Sequence, residues 1–216
     1  MIHAVVQREG LVRNHKRTAR VYYREMGLSL RLRRRKKRPS HLRVMMDAPS
    51  RPNERWSMDF VFDQITSGRR LKCLTLGDDF TREALEIEAG RSIRGVHVVE
   101  VLDRMRDERG LPEVIVMDNG PEFTGKALDE WAHRNGVKLD FITPGRPVEN
   151  AFRESFNGRF RDECLNQHLF HNLEDAKEKI ETWRQDYNKV RPHSSLNYAT
   201  PAAYAEQFLL NGTLDS

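Results

Sequence analysis

Cysteine is nearly absent. Cys73 and Cys164 are the only two in 216 residues, too few for a disulfide framework and in keeping with a reducing compartment. Nowhere do about 18 apolar residues run together, so no membrane-spanning helix is expected. Met1–Gly10 carries charge where a secretory leader would hold its apolar stretch, which argues against export. No internal repeat is visible. What is present suffices for a core: the chain is 38% hydrophobic and long enough for one full domain plus a smaller module.

Acidic residues are scarce at one end only. Residues 1–55 hold 16 Lys/Arg against 4 Asp/Glu, whereas residues 56–216 hold 21 against 28. A basic arm on a mildly acidic domain points to a polyanionic partner, with nucleic acid foremost. Within the arm, His15–Met26 reads as a helix with Asn14 as its cap, and Arg17, Arg20 and Arg24 fall on one face. Residues 31–38 then place seven cations in eight positions, among them Arg33, Arg34, Arg35, Lys36 and Lys37. Charge that dense repels itself unless an anion is near. Pro39, Pro49 and Pro52 punctuate an extended linker.

From Trp56 the texture changes. Trp56, Met58, Phe60 and Phe62 alternate with Ser57, Asp59, Val61 and Asp63, the pattern of a strand. Further strands are expected at 71–77, 84–89, 114–117 and 137–142, and helices at 96–109, 125–134, 150–168 and 174–190. Three antiparallel strands followed by βα units predict an α/β fold of the ribonuclease-H type, a five-stranded mixed sheet flanked by helices. The expected domains are a basic helical module over 1–38, a linker over 39–53, a catalytic core over 54–170 and a helical C-terminal extension over 171–216.

Three acids stand out by position. Asp59 lies mid-strand, where propensity disfavours it. Asp118 ends a strand before Asn119-Gly120-Pro121. Glu154 lies on a helix whose Phe152, Phe156, Phe160 and Cys164 form the packing stripe, which leaves Asn150, Glu154, Gly158 and Arg161 as a polar line. Singly, each acid has an ordinary explanation in turn chemistry or a solvated face. Converging, three carboxylates would repel one another until a divalent cation joined them. Mg²⁺ takes oxygen ligands and leaves places for phosphate oxygens, and two such ions suit in-line displacement at phosphorus.

At these residues the chain resembles a known family. The stretches are Arg55-Trp56-Ser57-Met58-Asp59-Phe60, Asp78-Asp79-Phe80-Thr81-Arg82-Glu83, Met117-Asp118-Asn119-Gly120-Pro121-Glu122-Phe123, Asn150-Ala151 through Glu154-Ser155-Phe156 to Asn166, and Arg191-Pro192-His193-Ser194-Ser195. They are similar to the second-frame (OrfB) transposases of bacterial insertion sequences, in the DDE superfamily that includes retroviral integrases. Thirty-five residues separate Asp118 from Glu154, the family's interval.

The resemblance implies that Asp59, Asp118 and Glu154 bind two Mg²⁺ ions, with Mn²⁺ as substitute. It implies water attack freeing a 3′-OH at an element end, followed by attack of that 3′-OH on another strand. Asn119, Glu122 and Asn150 stand at supporting or DNA-positioning places, and Arg161 at a phosphate-contacting one. Implied partners are insertion-sequence ends and target DNA, a second copy of the chain on DNA and an upstream-frame protein, in the bacterial cytoplasm at the nucleoid. Met1 falls inside the family's helix-turn-helix-like region, so the rival expectation is a non-catalytic DNA-binding remnant that interferes with an intact transposase. Two further signals have structural readings. Cys164, His168 and His171 have helical spacing but no obvious fourth zinc ligand, and His193 suits either a phosphate contact or a capping role.

Overall fold

The computed structural model describes residues 2–11, 14–26, 48–142 and 151–212. Strand β1 (Arg55–Gln64) shows the expected alternation. Trp56 and Met58 are sealed into one core, and Val61 into another on the opposite face of the sheet. β1 pairs antiparallel with β2 (Arg70–Asp78), from Trp56↔Asp78 to Gln64↔Arg70. β2 in turn pairs antiparallel with β3 (Ala84–Gly90). Two parallel strands, β4 (Val114–Met117) and β5 (Lys138–Phe141), complete the order β3-β2-β1-β4-β5. β1 is therefore the central strand, covered on both faces. The ribonuclease-H-like mixed sheet expected from the sequence is the fold observed.

Among the described residues, five α-helices follow the basic end of the chain. On one face α3 (Gly95–Arg109) buries Val98, Val101, Leu102 and Met105, and α4 (Lys126–Asn135) buries Leu128, Trp131 and Ala132. These spacings of three and four residues make one apolar stripe per helix. On the other face lie α5 (Ala151–Glu163) and α6 (Leu173–Lys189), with Phe156, Phe160, Cys164, Ile180 and Tyr187 in a shared core. Asn188 of α6 donates to Ala84 O and accepts from Ala84 N, both at 2.9 Å, which satisfies the first residue of the edge strand β3 as a neighbouring strand would. α7 (Pro201–Gly212) packs on α6. Its start is marked by Thr200, whose hydroxyl accepts from Ala203 N at 3.2 Å.

Two helices differ from expectation. The stretch 150–168 does not continue as one helix, because α5 ends at Glu163 and a 3₁₀ turn follows over Leu165–Gln167. Gln167 Nε2 donates to Asp162 O at 3.0 Å, and the His168 ring bonds Cys164 O at 2.9 Å. Side chains thus occupy carbonyls that a continuing helix would use. In the basic region, α1 (Ile2–Arg8) is followed by α2 (His15–Ala19), which widens into a π-turn over Arg20–Glu25. The wider turn brings Arg20 Nε to 3.2 Å from Glu25 five residues on, and it breaks the uniform rotation on which a single arginine face was predicated.

Candidate functional site

Two neighbouring strands bring the first two acids together. The parallel register of β1 and β4 runs from Arg55↔Val114 to Ser57↔Val116. Asp118, the residue after β4, therefore falls beside Asp59. Burial is the first cause that lifts the Asp59 carboxyl above its ordinary range, and the charge of Asp118 adds to it. Opposing them are the Arg153 guanidinium, the Phe60 N–H and the Asn157 amide. Phe60 N donates to Asp59 Oδ1 at 2.7 Å and Asn157 Nδ2 to Oδ2 at 2.6 Å.

Glu154 reaches this neighbourhood through its helix. Three side chains lay α5 along β1 in matching order. Arg153 donates to Ser57 O, Asn157 to Asp59, and Arg161 to Phe62 O at 3.2 Å. Glu154 begins the turn that ends at Asn157, and its side chain is exposed. Asp59 and Asp118 adjoin, but Glu154 does not close a cluster with them. Among the described residues no three His, Cys, Asp or Glu are grouped so as to hold a metal.

Beneath the acid pair runs a buried polar network. Arg153, only 2% exposed, also donates to Thr75 O and, at 3.0 Å, to Thr75 Oγ1. Its Nε has no partner among the described residues, and burial pulls its pKa down to about 10 against the pull of Asp59 and Asp79. Asp79 accepts from Ser57 Oγ and Arg55 Nε, both at 2.7 Å. Beside Arg153, Gly77 accommodates the backbone turn, since a Cβ there would stand 3.0 Å from Glu83 O, whereas Arg153 Nη1 at 3.7 Å would be an ordinary contact. Neither Arg153 nor Asn157 was among the expected site residues. The signal for Arg153 was available: it lies three and seven residues before Phe156 and Phe160, on their stripe. Asn157 lies three residues past Glu154, on the face where Gly158 was placed instead.

The loop after β4 holds the remaining expected residues. Asn119 Nδ2 donates to Ile142 O at 3.0 Å, fastening the loop to the end of β5. Asp118 Oδ1 accepts from Gly120 N at 2.9 Å. Glu122 is ion-paired with Lys72 of β2, which pulls its pKa down. Arg33, Arg34, Arg35, Lys36, Lys37 and Asn150 lie outside the described residues, as does the side chain of Arg24. Arg17 is exposed on α2. His193 is buried, its ring held between Arg159 Nη1 at 2.9 Å and Ser195 Oγ at 3.0 Å, so its role is to tie α5 to the turn before α7. Cys164 is packed in the core. Asp78 accepts from the N–H groups of Asn53, Phe80 and Thr81, which is turn chemistry.

The sheet order, with one acid at the middle of the central strand and another just past the parallel neighbour, defines a ribonuclease-H-like core of the integrase type. The integrase core domain family matches residues 49–147, and a second family of the same description matches residues 135–201. The insertion element IS407 31.7 kDa protein of Burkholderia multivorans is 52% identical over 94% of this chain and 73% of its own length. The IS476 39.2 kDa protein of Xanthomonas euvesicatoria is 48% identical over 90% of this chain, which spans 56% of that relative. The chain belongs to the DDE-superfamily transposases of bacterial insertion sequences.

Solved structures share the fold at low identity. A chain of the simian T-cell lymphotropic virus intasome in complex with PP2A regulatory subunit B56 gamma matches with TM-score 0.62 and 13% identity, over 80% of this chain and 60% of that one. The HTLV-2 integrase catalytic core domain in complex with magnesium matches with TM-score 0.55 and 15% identity, over 72% of this chain and 97% of that one. Among the described residues no helix is long and apolar enough to cross a membrane.

Proposed function

We propose that the chain cleaves DNA at insertion-sequence ends and joins the freed 3′-OH to a target strand, with Asp59, Asp118 and Glu154 as the catalytic acids. The observation that carries this reading is the adjacency of Asp59 and Asp118, each at the rigid end or middle of a neighbouring strand. A half-buried Asp59, whose carboxyl is lifted by burial and by the charge of the exposed Asp118 beside it, forms with Asp118 an oxygen-only donor set suited to a hard divalent ion. Asp59 and Asp118 would hold Mg²⁺, or Mn²⁺ in its place, with Glu154 as the third carboxylate and two ions as the full complement. Bound there, the ion supplies charge neutralisation at the scissile phosphate and activation of the attacking hydroxyl.

The chain's own residues prepare that chemistry. Asn157 fixes one oxygen of Asp59 and leaves the carboxylate a single orientation. Arg153 and Arg161 set the register of α5 along β1, with the exposed Glu154 next to Arg153 on that helix. Asn119 holds the loop that carries Asp118. The basic region over 1–38 and Arg161 would meet DNA phosphates, and pairing two ends calls for at least two copies on DNA, with an upstream-frame protein as a further partner.

The test is strand joining by purified protein on end-containing duplex with Mg²⁺ or Mn²⁺. Asp59→Asn, Asp118→Asn and Glu154→Gln are each expected to abolish joining while DNA binding persists. Activity surviving in one variant removes that residue from the acid set. Binding without nicking at every wild-type concentration would favour the interfering DNA-binding remnant.

A further inference from the structure

Next to the Asp118 loop lies an open cleft of about 270 Å³ bordered by Arg70, Arg91, Arg94, Gly95, Pro121 and Glu122. We infer that this cleft is a second DNA-contacting site, in which Arg70, Arg91, Arg94 and the start of α3 hold backbone phosphates of a strand running past the catalytic acids. The inference rests on the DNA reading above and adds to it residues outside the basic N-terminal region.

Its charge arrangement is self-repulsive as it stands. Three exposed arginines surround the N-terminus of a 15-residue helix, itself a partial positive charge, and the first turn of that helix contains no acid. Helix starts ordinarily favour Asp or Glu there. The one carboxylate at the cleft, Glu122, is already engaged by Lys72. Lys72 is itself saturated: it donates to Ile93 O at 3.0 Å and sits 3.9 Å over the Phe60 ring. It acts as a rivet between β2, the β3–α3 connection and the Asp118 loop. Among the described residues Arg70, Arg91 and Arg94 form no ion pair, although the charge of Arg70 reaches Glu122, so an external anion is a partner all three can take, and a helix start suits phosphate oxygens.

Position and pre-ordering identify the anion as a polymer's backbone. A Cβ on Gly120 would stand 2.9 Å from Asp118 Oδ1 and 3.5 Å from Glu122 Oε2, so one small gap separates the cleft wall from the catalytic loop. A strand whose scissile phosphate lay at the acids would pass this wall. Arg70 is held over the ring of Phe62 at 4.5 Å, which limits the side-chain entropy lost on binding. The cleft is open rather than enclosed, which favours a continuing strand over a small anion.

Binding of the full chain to labelled duplex, followed by anisotropy across a salt series, tests this. The Arg70→Gln/Arg91→Gln/Arg94→Gln variant is expected to bind at least about tenfold more weakly and to lose about two to three from the slope of log K against log salt. The corresponding triple Lys variant should keep the wild-type slope. Lys126→Gln/Arg134→Gln/Lys138→Gln removes the same charge elsewhere and controls for net charge. A loss confined to end-containing DNA assigns the cleft to the element end, and an equal loss on unrelated duplex assigns it to non-specific target contact. The inference is overturned if a Gln triple that unfolds at the wild-type temperature keeps wild-type affinity and slope, or if the control triple loses as much. A wild-type chain that binds no duplex overturns the DNA reading together with this site. Misfolding of the Gln triple, with wild-type binding by single Gln variants that fold, also overturns the cleft.

Discussion

His193 offers a quantitative test of the packing between α5 and the C-terminal segment. Arg159 Nη1 can only donate, so the Nε2 it meets at 2.9 Å must be a bare acceptor, and Nδ1–H is left to donate to Ser195 Oγ. The imidazole is therefore neutral in the fold. It is 6% exposed, and burial first, then the cations of Arg159, Arg82 and Arg191, pull its pKa from 6.5 to about 4. The Tyr187 ring from α6 completes the surroundings at 6.4 Å. A histidine whose folded pKa is depressed gives stability that is present above the unfolded pKa and lost as pH falls toward the folded one. At pH 5 the unfolded chain has taken up its proton and the folded chain has not. That gap of one and a half pH units, at about 1.36 kcal/mol each, costs about 2 kcal/mol.

His193→Gln keeps an acceptor for Arg159 but cannot titrate. Urea unfolding of both proteins at pH 7.5 and pH 5 gives the double difference. The variant should be about 1 kcal/mol less stable at pH 7.5, for the Ser195 contact. Its loss on acidification should be smaller than that of the wild type by about 2 kcal/mol. Asp59, Asp78 and Glu86, whose pKa values are raised, act in the opposite direction and cancel in the comparison. A double difference below about 0.5 kcal/mol, on the linkage scale used here, would refute the neutral, cation-flanked assignment.

Two other perturbations probe the polar network. Asn157→Ala deletes the 2.6 Å bond to Asp59. A hydrogen bond to a charged group contributes about 1.5–3 kcal/mol to stability, so the unfolding temperature should fall by several degrees; strand joining by the folded variant should fall about tenfold or more in rate, and unchanged joining would show that Asp59 needs no such restraint. Arg153→Ala leaves a cavity and strips donors from Ser57 and Thr75, an expected loss of about 3 kcal/mol in urea unfolding. Arg153→Met, which restores volume and removes the unpartnered Nε, should lose less than half of that, and equal losses would mean that the charge rather than the volume matters.

Much of the sheet was legible because its signals are local and periodic. Alternation in Trp56–Asp63 fixed the two faces of β1, and Gly110 and Gly136, at φ +82° and +68°, closed α3 and α4 where an L side chain would be strained. Asp59 and Asp118 were readable as acids in places where propensity or turn geometry made them conspicuous. Less legible was whatever depends on contact across the chain. Nothing local to Arg70, Arg91 and Arg94 says that they share a cleft. Nor does any local feature reveal that Gln167 and His168 take the carbonyls at the end of α5. The π-turn at Arg20–Glu25 escaped for a related reason, since the hydrophobic period there is too weak to reveal a change of pitch.

Why α5 is fastened to β1 by polar bonds, when Phe156 and Phe160 already bury one of its faces, follows from the kind of order each interaction imposes. Apolar burial is non-directional, and such a stripe tolerates a small slide or roll of the helix at little cost. A slide of one residue would move Glu154 by about 1.5 Å along the axis and about 100° around it, which for a group that must meet an ion is a different site. Arg153, Asn157 and Arg161 each bond a defined atom of β1 at successive levels, and no slide or roll satisfies all three. A buried arginine with an unpartnered Nε is a costly way to gain stability. Here it serves register, and register is what transfers the rigidity of the central strand to the one proposed catalytic acid that the sheet does not itself carry.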